Sequence, residues 1–160
     1  MYSGVFCLLA LRGARDWRRA VSIQLQDLQD HHIFPRDYLR NHAVEKRAVV
    51  NSITNRTLIS DETNGKIKNK APADYLANKD IFPSGPDEQL LMPHFISAEA
   101  IDAMKRTMAT SPASDVLELY ERFCALREQS VIAEIRRVCG ISSAATLEAV
   151  TKPILLNPAW

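Results

Sequence analysis

The chain has 160 residues, enough for one ordinary domain with its own core or for a small domain with a helical appendage. Its 46% apolar and 24% charged residues exclude a disordered or fibrous chain. The net charge of +1 excludes no class of partner. The three cysteines are far apart and lack any CxxC spacing, which argues against a disulfide framework or a cysteine zinc cage. We therefore predict a globular protein of a reducing cytoplasm.

The predicted elements begin with a buried helix over the apolar stretch 5–11, ended by Gly13. This stretch is far short of the roughly 20 residues that a membrane-spanning helix needs, so no membrane association is expected. A helix so close to the first residue raises the alternative that the chain is a fragment of a longer protein. The next stretch, 16–30, is ambiguous, since it alternates like a strand but is rich in Gln and Asp. The alternating apolar residues are Val21, Ile23 and Leu25.

The middle of the chain predicts a strand, an insertion, a second strand and a helix. Pro35 should end the first strand, because proline lacks the amide hydrogen that strand pairing needs. Short helices are expected at 36–42 and 45–52, and a second strand at 55–60. Ser60 can cap a helix that runs to about residue 70, with acidic residues in its first turn. Another helical turn begins at Pro72.

The last part of the chain predicts two helices after a loop. Three prolines and a glycine indicate a loop over 78–93. Ser97 begins a helix with Met104 and Met108 on its core face, and Ser114 or Asp115 begins a longer one that Gly140 ends. The apolar face of the longer helix comprises Val116, Leu119, Tyr120, Phe123, Leu126, Val131, Ile135 and Val138.

Two adjacent histidines and two later asparagines carry the functional hypothesis. His31 and His32 are neighbours on a predicted strand, so we expect them to point to opposite faces and not to bind one ion together. One imidazole is therefore expected on a metal ion and the other beside a water molecule, where a neutral ring accepts a proton. The amide oxygen of Asn64 suits Mg²⁺ or Mn²⁺. Asn55 is expected to hold the loop that carries His32, whereas Asp30 is open between orienting His31 and binding the ion.

The segment 31–70 carries eight Lys and Arg residues against four Asp and Glu residues, so it is locally basic. A basic segment beside the histidines suits a polyanion, although a solvated helix face explains the same charge. The residues proposed to contact DNA are Arg56, Lys66, Lys68 and Lys70. The three lysines alternate along one helix, so at most two of them can act together.

In these residues the chain resembles the HNH endonuclease superfamily. The motifs are HHIFP at 31–35, NRTLIS at 55–60 and TNGKIKNKAPADYL at 63–76. The nearest likeness is to the C-terminal nuclease domain of modification-dependent restriction proteins, which follows a ParB-like nucleotide-hydrolysing domain. The segment 36–54 is longer than in compact members of the superfamily, and the cysteine zinc site of some members is absent from the sequence.

The resemblance implies an α+β fold in which a ββα-metal finger, a two-stranded ribbon plus a helix, is embedded in a mainly helical domain. It implies His32 as general base, Asn55 as the middle asparagine, and His31 and Asn64 as metal ligands. The expected organisation is a lead-in at 1–29, the HNH core at 30–77, a linker loop at 78–96, a helical part at 97–140 and a tail at 141–160.

The implied function is hydrolysis of DNA phosphodiester bonds in restriction of foreign or modified DNA. One divalent ion is expected, Mg²⁺ or Mn²⁺, with Zn²⁺ or Ni²⁺ as alternatives. The expected partners are DNA, a separate or missing N-terminal nucleotide-hydrolysing domain and a second copy of the chain in a homodimer. Two alternatives stay open: a catalytically silent DNA-binding module, and a structural or assembly domain of a larger restriction protein.

Residues outside these motifs carry weaker expectations. His42 and His94 are expected on the surface or in loops, with His94 alternatively approaching the site. Trp17 and Trp160 are expected to pack in the core, and Tyr75 is open between the core and a DNA-facing surface.

Overall fold

The computed structural model describes residues 3–22, 25–44 and 46–141. These residues form helices and one two-stranded antiparallel sheet. The predicted α+β class is therefore confirmed. The strands are β1 (Leu28–His32) and β2 (Arg56–Ser60). The helices are α1 (Ser3–Leu11), α2 (Arg36–Asn41), α3 (Arg47–Val50), α4 (Asp61–Ile67), α5 (Pro72–Leu76), α6 (Glu88–Leu91), α7 (Ala98–Lys105) and α8 (Ala113–Val138).

The sheet brings the two histidines next to the start of the second strand. β1 and β2 pair antiparallel, with His32 opposite Arg56 and His31 opposite Thr57. In β2 the buried residues are Thr57 and Ile59, so alternate side chains face the core. β1 ends at His32, three residues before the predicted stop at Pro35, and Pro35 precedes α2.

Helix α4 begins where the sequence predicts and ends earlier. The Ser60 side chain accepts a hydrogen bond from the backbone nitrogen of Thr63, and two acidic residues lie in the first turn. The helix was expected to reach about residue 70 but ends at Ile67, because Lys68 has a positive φ of 51° that no α-helix continues through.

The ambiguous stretch 16–30 contributes only its last residues to the sheet. β1 begins at Leu28, and Val21 is exposed outside the ladder. Ile23 lies outside the described residues. A side chain further back holds this region in place: Asp16 accepts hydrogen bonds from the Ser60 nitrogen at 2.8 Å and from the Thr63 hydroxyl at 2.7 Å. The loop is therefore tied to the start of α4.

The segment 78–96 differs from the predicted linker loop. It contains α6 and a short 3₁₀ turn, Met92–His94. Its apolar side chains Ile81, Phe82 and Leu91 are fully buried, in the same core as residues that precede and follow the segment. The segment is therefore part of the core and not an exposed linker.

Helix α8 is buried along its first half and exposed toward its end. Of the predicted apolar face, Phe123 and its neighbours pack in the core, but Ile135 is 41% and Val138 49% exposed. On the preceding segment Met108 is also exposed, because α7 ends at Lys105. The prediction that Met108 is a core residue was therefore wrong, and the predicted apolar face of α8 is exposed at Ile135 and Val138.

Within the described ranges, no helix has both the length and the apolar character needed to cross a membrane. The tail from 142 onward, including Trp160, lies outside the described residues.

Candidate metal centre and general base

The side chains of His31 and Asn64 meet although they belong to different elements. The His31 Nδ1 lies 2.8 Å from the Asn64 Oδ1. β1 carries the histidine and α4 the asparagine, and the Ser60 cap fixes the first turn of that helix against the end of β2. The two predicted metal ligands are thus brought together by the strand–strand–helix unit.

His31 is buried and neutral. Its side chain is 4% exposed and meets the Trp17 ring edge to face, with ring centroids 5.8 Å apart. Burial lowers the pKa of His31 to about 4, and the contact with Asn64 opposes the shift. Its Nε2 has no hydrogen-bond partner among the described residues. The Asn64 oxygen only accepts hydrogen bonds, so in this contact the neutral ring carries its proton on Nδ1 and its lone pair on Nε2. Binding of a cation at Nδ1 would require the other tautomer, with the proton on Nε2.

The pair fits a divalent ion. Ligand atoms in neighbouring positions of an octahedral Mg²⁺ site stand about 3 Å apart, since each lies about 2.1 Å from the ion. The observed 2.8 Å is close to that separation. Among the described residues no group of three His, Cys, Asp or Glu side chains converges, so His31 would share the ion with an amide oxygen and with water.

His32 points away from this pair and is half-buried. Its Nε2 lies 2.9 Å from the Asn51 Oδ1. Burial lowers the pKa of His32, the Asn51 contact raises it, and the nearby Arg56 guanidinium lowers it further. The ring is therefore neutral at neutral pH and has the protonation state that a general base requires.

Arg56 lies between His32 and Asp30. Its Nη1 is 2.7 Å from the His32 Nδ1 and also contacts the Nε2 of that ring. Its Nε donates to the Asp30 Oδ1 at 2.7 Å, and a second nitrogen pairs with the other carboxylate oxygen. The structure therefore pairs the Asp30 carboxylate with Arg56.

Asn55 holds the loop that follows His32. The side chain is fully buried, with 0% exposure. Its Oδ1 accepts from the Phe34 backbone nitrogen at 2.8 Å, and its Nδ2 donates to the carbonyl oxygens of Phe34 and Val50 at 3.1 and 3.0 Å. Asn55 thus joins the residues after His32 to the end of α3, in agreement with its expected supporting role.

A polar groove of about 360 Å³ opens beside these groups. Its lining comprises Asp30, His31, His32, Pro35, Arg36, Asp37, Asn64, Lys68 and Asn69. The structure separates the three lysines predicted to bind DNA. Lys68 lines the groove, Lys66 lies 3.8 Å from Asp80, and the Lys70 ammonium donates to the carbonyl of Lys66.

A second polar layer lies beneath the sheet, and it corrects the expectation for His94. This histidine is fully buried, with its Nδ1 2.7 Å from the Thr57 hydroxyl and its Nε2 2.9 Å from the Arg15 carbonyl. Burial lowers its pKa to about 4. His94 is a core residue because Thr57, on the inner face of β2, and the Arg15 carbonyl satisfy both nitrogens.

Arg127 of α8 joins this layer to the site. The guanidinium is buried and donates to the carbonyl oxygens of Ile53, Thr54 and His94. Burial lowers its pKa to about 9. The carbonyls of Ile53 and Thr54 immediately precede Asn55, so α8 supports the turn from which Asn55 reaches the His32 loop.

Burial decides three further expectations. Tyr75 is a core residue whose hydroxyl donates to the Ile33 carbonyl at 2.8 Å, and Trp17 is buried as predicted. His42 is half-buried on its own helix turn, bonded to the Tyr38 carbonyl. Sequence reasoning missed Asn51, Arg127 and Arg36; only the locally basic composition hinted at the last of these.

Comparison with known proteins finds a relative of the chain but no family model and no solved structure. An uncharacterized protein of Methanocaldococcus jannaschii is 31% identical over 144 residues, which cover 84% of this chain and 25% of that protein. The chain thus spans about a quarter of the length of this relative, whose name assigns no activity. No protein-family model matches the chain, and no solved structure matches it.

Proposed function

We propose that this chain is a metal-dependent DNA endonuclease of the HNH class, with β1, β2 and α4 forming a ββα-metal finger. The observation that carries the proposal is the contact of His31 Nδ1 with Asn64 Oδ1 at 2.8 Å, with His32 adjacent on the same strand in one polar groove. A strand–strand–helix unit with a histidine pair and an asparagine in these positions is what the superfamily resemblance implies.

In the proposed reaction His31 and Asn64 hold one divalent ion, Mg²⁺ or Mn²⁺, with Zn²⁺ or Ni²⁺ as alternatives. When bound, the ion supplies charge neutralisation at the phosphate that is cut. The neutral His32 accepts a proton from the attacking water, and Asn55 keeps the loop behind His32 in place. By the resemblance, the products carry 5′-phosphate and 3′-hydroxyl ends.

The basic residues around the groove are proposed to bind the DNA backbone. Lys68 and Arg36 line the groove, and Arg56 lies against the His32 ring. A phosphate entering the groove would compete with Asp30 and His32 for the Arg56 guanidinium, because phosphate accepts bidentate hydrogen bonds from arginine. Binding of DNA would then uncover the base.

The resemblance places the activity in restriction of foreign or modified DNA in the cytoplasm. A nucleotide-hydrolysing domain, on the same chain or on a separate one, and a second copy of the chain are proposed partners. The matched region makes up 25% of the relative, which leaves room in that protein for further domains.

A plasmid assay tests the proposed function. Supercoiled plasmid is incubated with the chain and Mg²⁺ or Mn²⁺, with and without chelator, and nicked and linear products are measured. We expect nicking that the chelator abolishes. The same samples are tested for DNA affinity by fluorescence anisotropy at two salt concentrations, because phosphate contacts weaken as salt rises.

A catalytically silent DNA-binding module is the second candidate. The observation that favours it is the position of Arg56, which covers His32 in the structure. Salt-dependent DNA binding without chelator-sensitive nicking would support this candidate. Neither binding nor nicking would leave the third alternative, a structural or assembly domain of a larger protein.

A further inference from the structure

Asn51 contacts the ring of His32 directly. The Asn51 Oδ1 and the His32 Nε2 are 2.9 Å apart. An amide oxygen only accepts hydrogen bonds, so in the neutral ring the Nε2 must carry the proton. The lone pair then lies on Nδ1. The Arg56 guanidinium lies against both ring nitrogens, so the contact with Asn51 is the one that assigns the proton to Nε2.

Asn51 stands in a turn that is fixed from several sides. Just before it, the Tyr120 hydroxyl donates to the Val49 carbonyl at 2.8 Å, and Asn55 donates to the Val50 carbonyl at 3.0 Å. Just after it, Ser52 caps the 3₁₀ turn Ile53–Asn55, whose carbonyl oxygens Arg127 binds. Because these hydrogen bonds already hold the backbone around Asn51, its side chain loses little conformational entropy when it orients His32.

We propose that Asn51 is a positioning residue that fixes the tautomer and orientation of His32, leaving Nδ1 as the atom that accepts the proton. The inference rests on the proposed function for its catalytic meaning, but the contact itself can be tested without any cleavage. Asn51 differs in role from Asn55, which bonds to backbone atoms of the loop and is not among the contacts of the ring.

Side-chain ¹⁵N spectra of histidine test the tautomer, since protonated and unprotonated ring nitrogens have different shifts. Spectra are recorded above pH 7, where His32 is neutral, for the wild type and for Asn51→Ala, Asn51→Asp and Asn41→Ala. Asn41 is an exposed asparagine on α2 that does not line the groove, so it is the matched control. His32→Gln identifies the His32 signals.

We expect the wild type and Asn41→Ala to show His32 protonated on Nε2. Asn51→Ala should give a mixture of tautomers, and Asn51→Asp should restore the Nε2 form because a carboxylate oxygen also accepts. In the nicking assay Asn51→Ala should lower kcat roughly 10- to 100-fold with an unchanged KM for DNA, as loss of an orienting partner does, and Asn51→Asp should recover most of it.

Two results would overturn the inference: a wild-type ring protonated on Nδ1, or an Asn51→Ala protein whose His32 tautomer and kcat match the wild type. Should Asn51→Ala fail to fold, the Asn51→Asp spectrum and the wild-type tautomer still decide it. Absence of nicking by the wild type would reject the proposed function, whereas the spectra would still report whether Asn51 sets the tautomer.

Discussion

The Nδ1 of His31 lies 2.8 Å from the Oδ1 of Asn64, although the two residues are 33 positions apart in the chain. The contact joins the first strand of the ribbon to the helix after the second strand, so the geometry of the whole unit determines it. The two proposed ligand atoms thus lie side by side in a polar groove, where one divalent ion could contact both of them.

Removing either side chain of this pair should weaken metal binding. We expect His31→Ala and Asn64→Ala each to raise the dissociation constant for Mn²⁺ more than about tenfold, a loss of at least about 1.4 kcal/mol. Isothermal titration calorimetry measures this directly. Asp30→Asn should keep the wild-type affinity, because the carboxylate pairs with Arg56. Equal losses in all three variants would make Asp30 a ligand and contradict this assignment.

Removing the imidazole of His32 should stop cleavage and spare binding. Because general bases contribute roughly 10²- to 10⁴-fold to rate, His32→Ala should lower the nicking rate by that factor and leave DNA affinity unchanged. The matched control is His42→Ala, since His42 bonds to the Tyr38 carbonyl and does not line the groove. If His32→Ala cleaved DNA at the wild-type rate, His32 would not be the general base.

Lys68 should show opposite effects on stability and on DNA binding. Its φ of 51° and ψ of −123° suit glycine, so Lys68→Gly should stabilise the fold by roughly 1 kcal/mol in urea unfolding. The same change removes an ammonium group from the groove, so DNA affinity should fall and become less salt-dependent. Lys70→Gly makes the same charge change outside the groove and should give neither effect. If Lys68→Gly were less stable than the wild type, the backbone of Lys68 would not be strained as proposed.

The buried His94 should make the fold sensitive to acid. Its pKa is about 4 in the folded protein and near 6.5 in the unfolded chain, so the unfolded state binds more protons between these values. The stabilisation is complete above pH 6.5 and is lost as pH falls toward 4, by up to about 1.4 kcal/mol per pH unit.

Urea unfolding of His94→Gln between pH 8 and pH 5 checks this. We expect lower stability than the wild type at pH 8 but a shallower fall toward pH 5. Part of the fall should persist, because burial also lowers the pKa of His31 to about 4. Parallel curves for the two proteins would show that His94 does not titrate as proposed.

Asn55 should matter for stability more than the other asparagines of the site. Asn55→Ala leaves the Phe34 nitrogen and the carbonyl oxygens of Phe34 and Val50 without this partner in a dry environment. We expect a loss of about 2–4 kcal/mol in the free energy of unfolding, measured in urea. Asn64→Ala, in which the replaced residue is only half-buried, should cost less than half of that. A loss below about 1 kcal/mol for Asn55→Ala would show that its hydrogen bonds to Phe34 and Val50 do not stabilise the fold as proposed.

Local sequence was sufficient for much of the ribbon and its helix. Ser60 as a cap and Gly140 as an end are confirmed, because each acts on the backbone within a few residues of itself. The first strand ends at His32, before Pro35, which instead precedes α2. The opposite facing of His31 and His32 is also confirmed, since it follows from the two-residue period of a strand.

The tertiary structure alone decided which side chains meet. Asn51 reaches His32 across 19 residues, Arg56 pairs with Asp30 across 26, and Thr57 meets His94 across 37. Such contacts depend on strand register and on helix packing over the whole core, which no local pattern encodes. For the same reason the sequence named the residues of the site, whereas their burial, their pKa values and the partners that orient them emerged only from the folded chain.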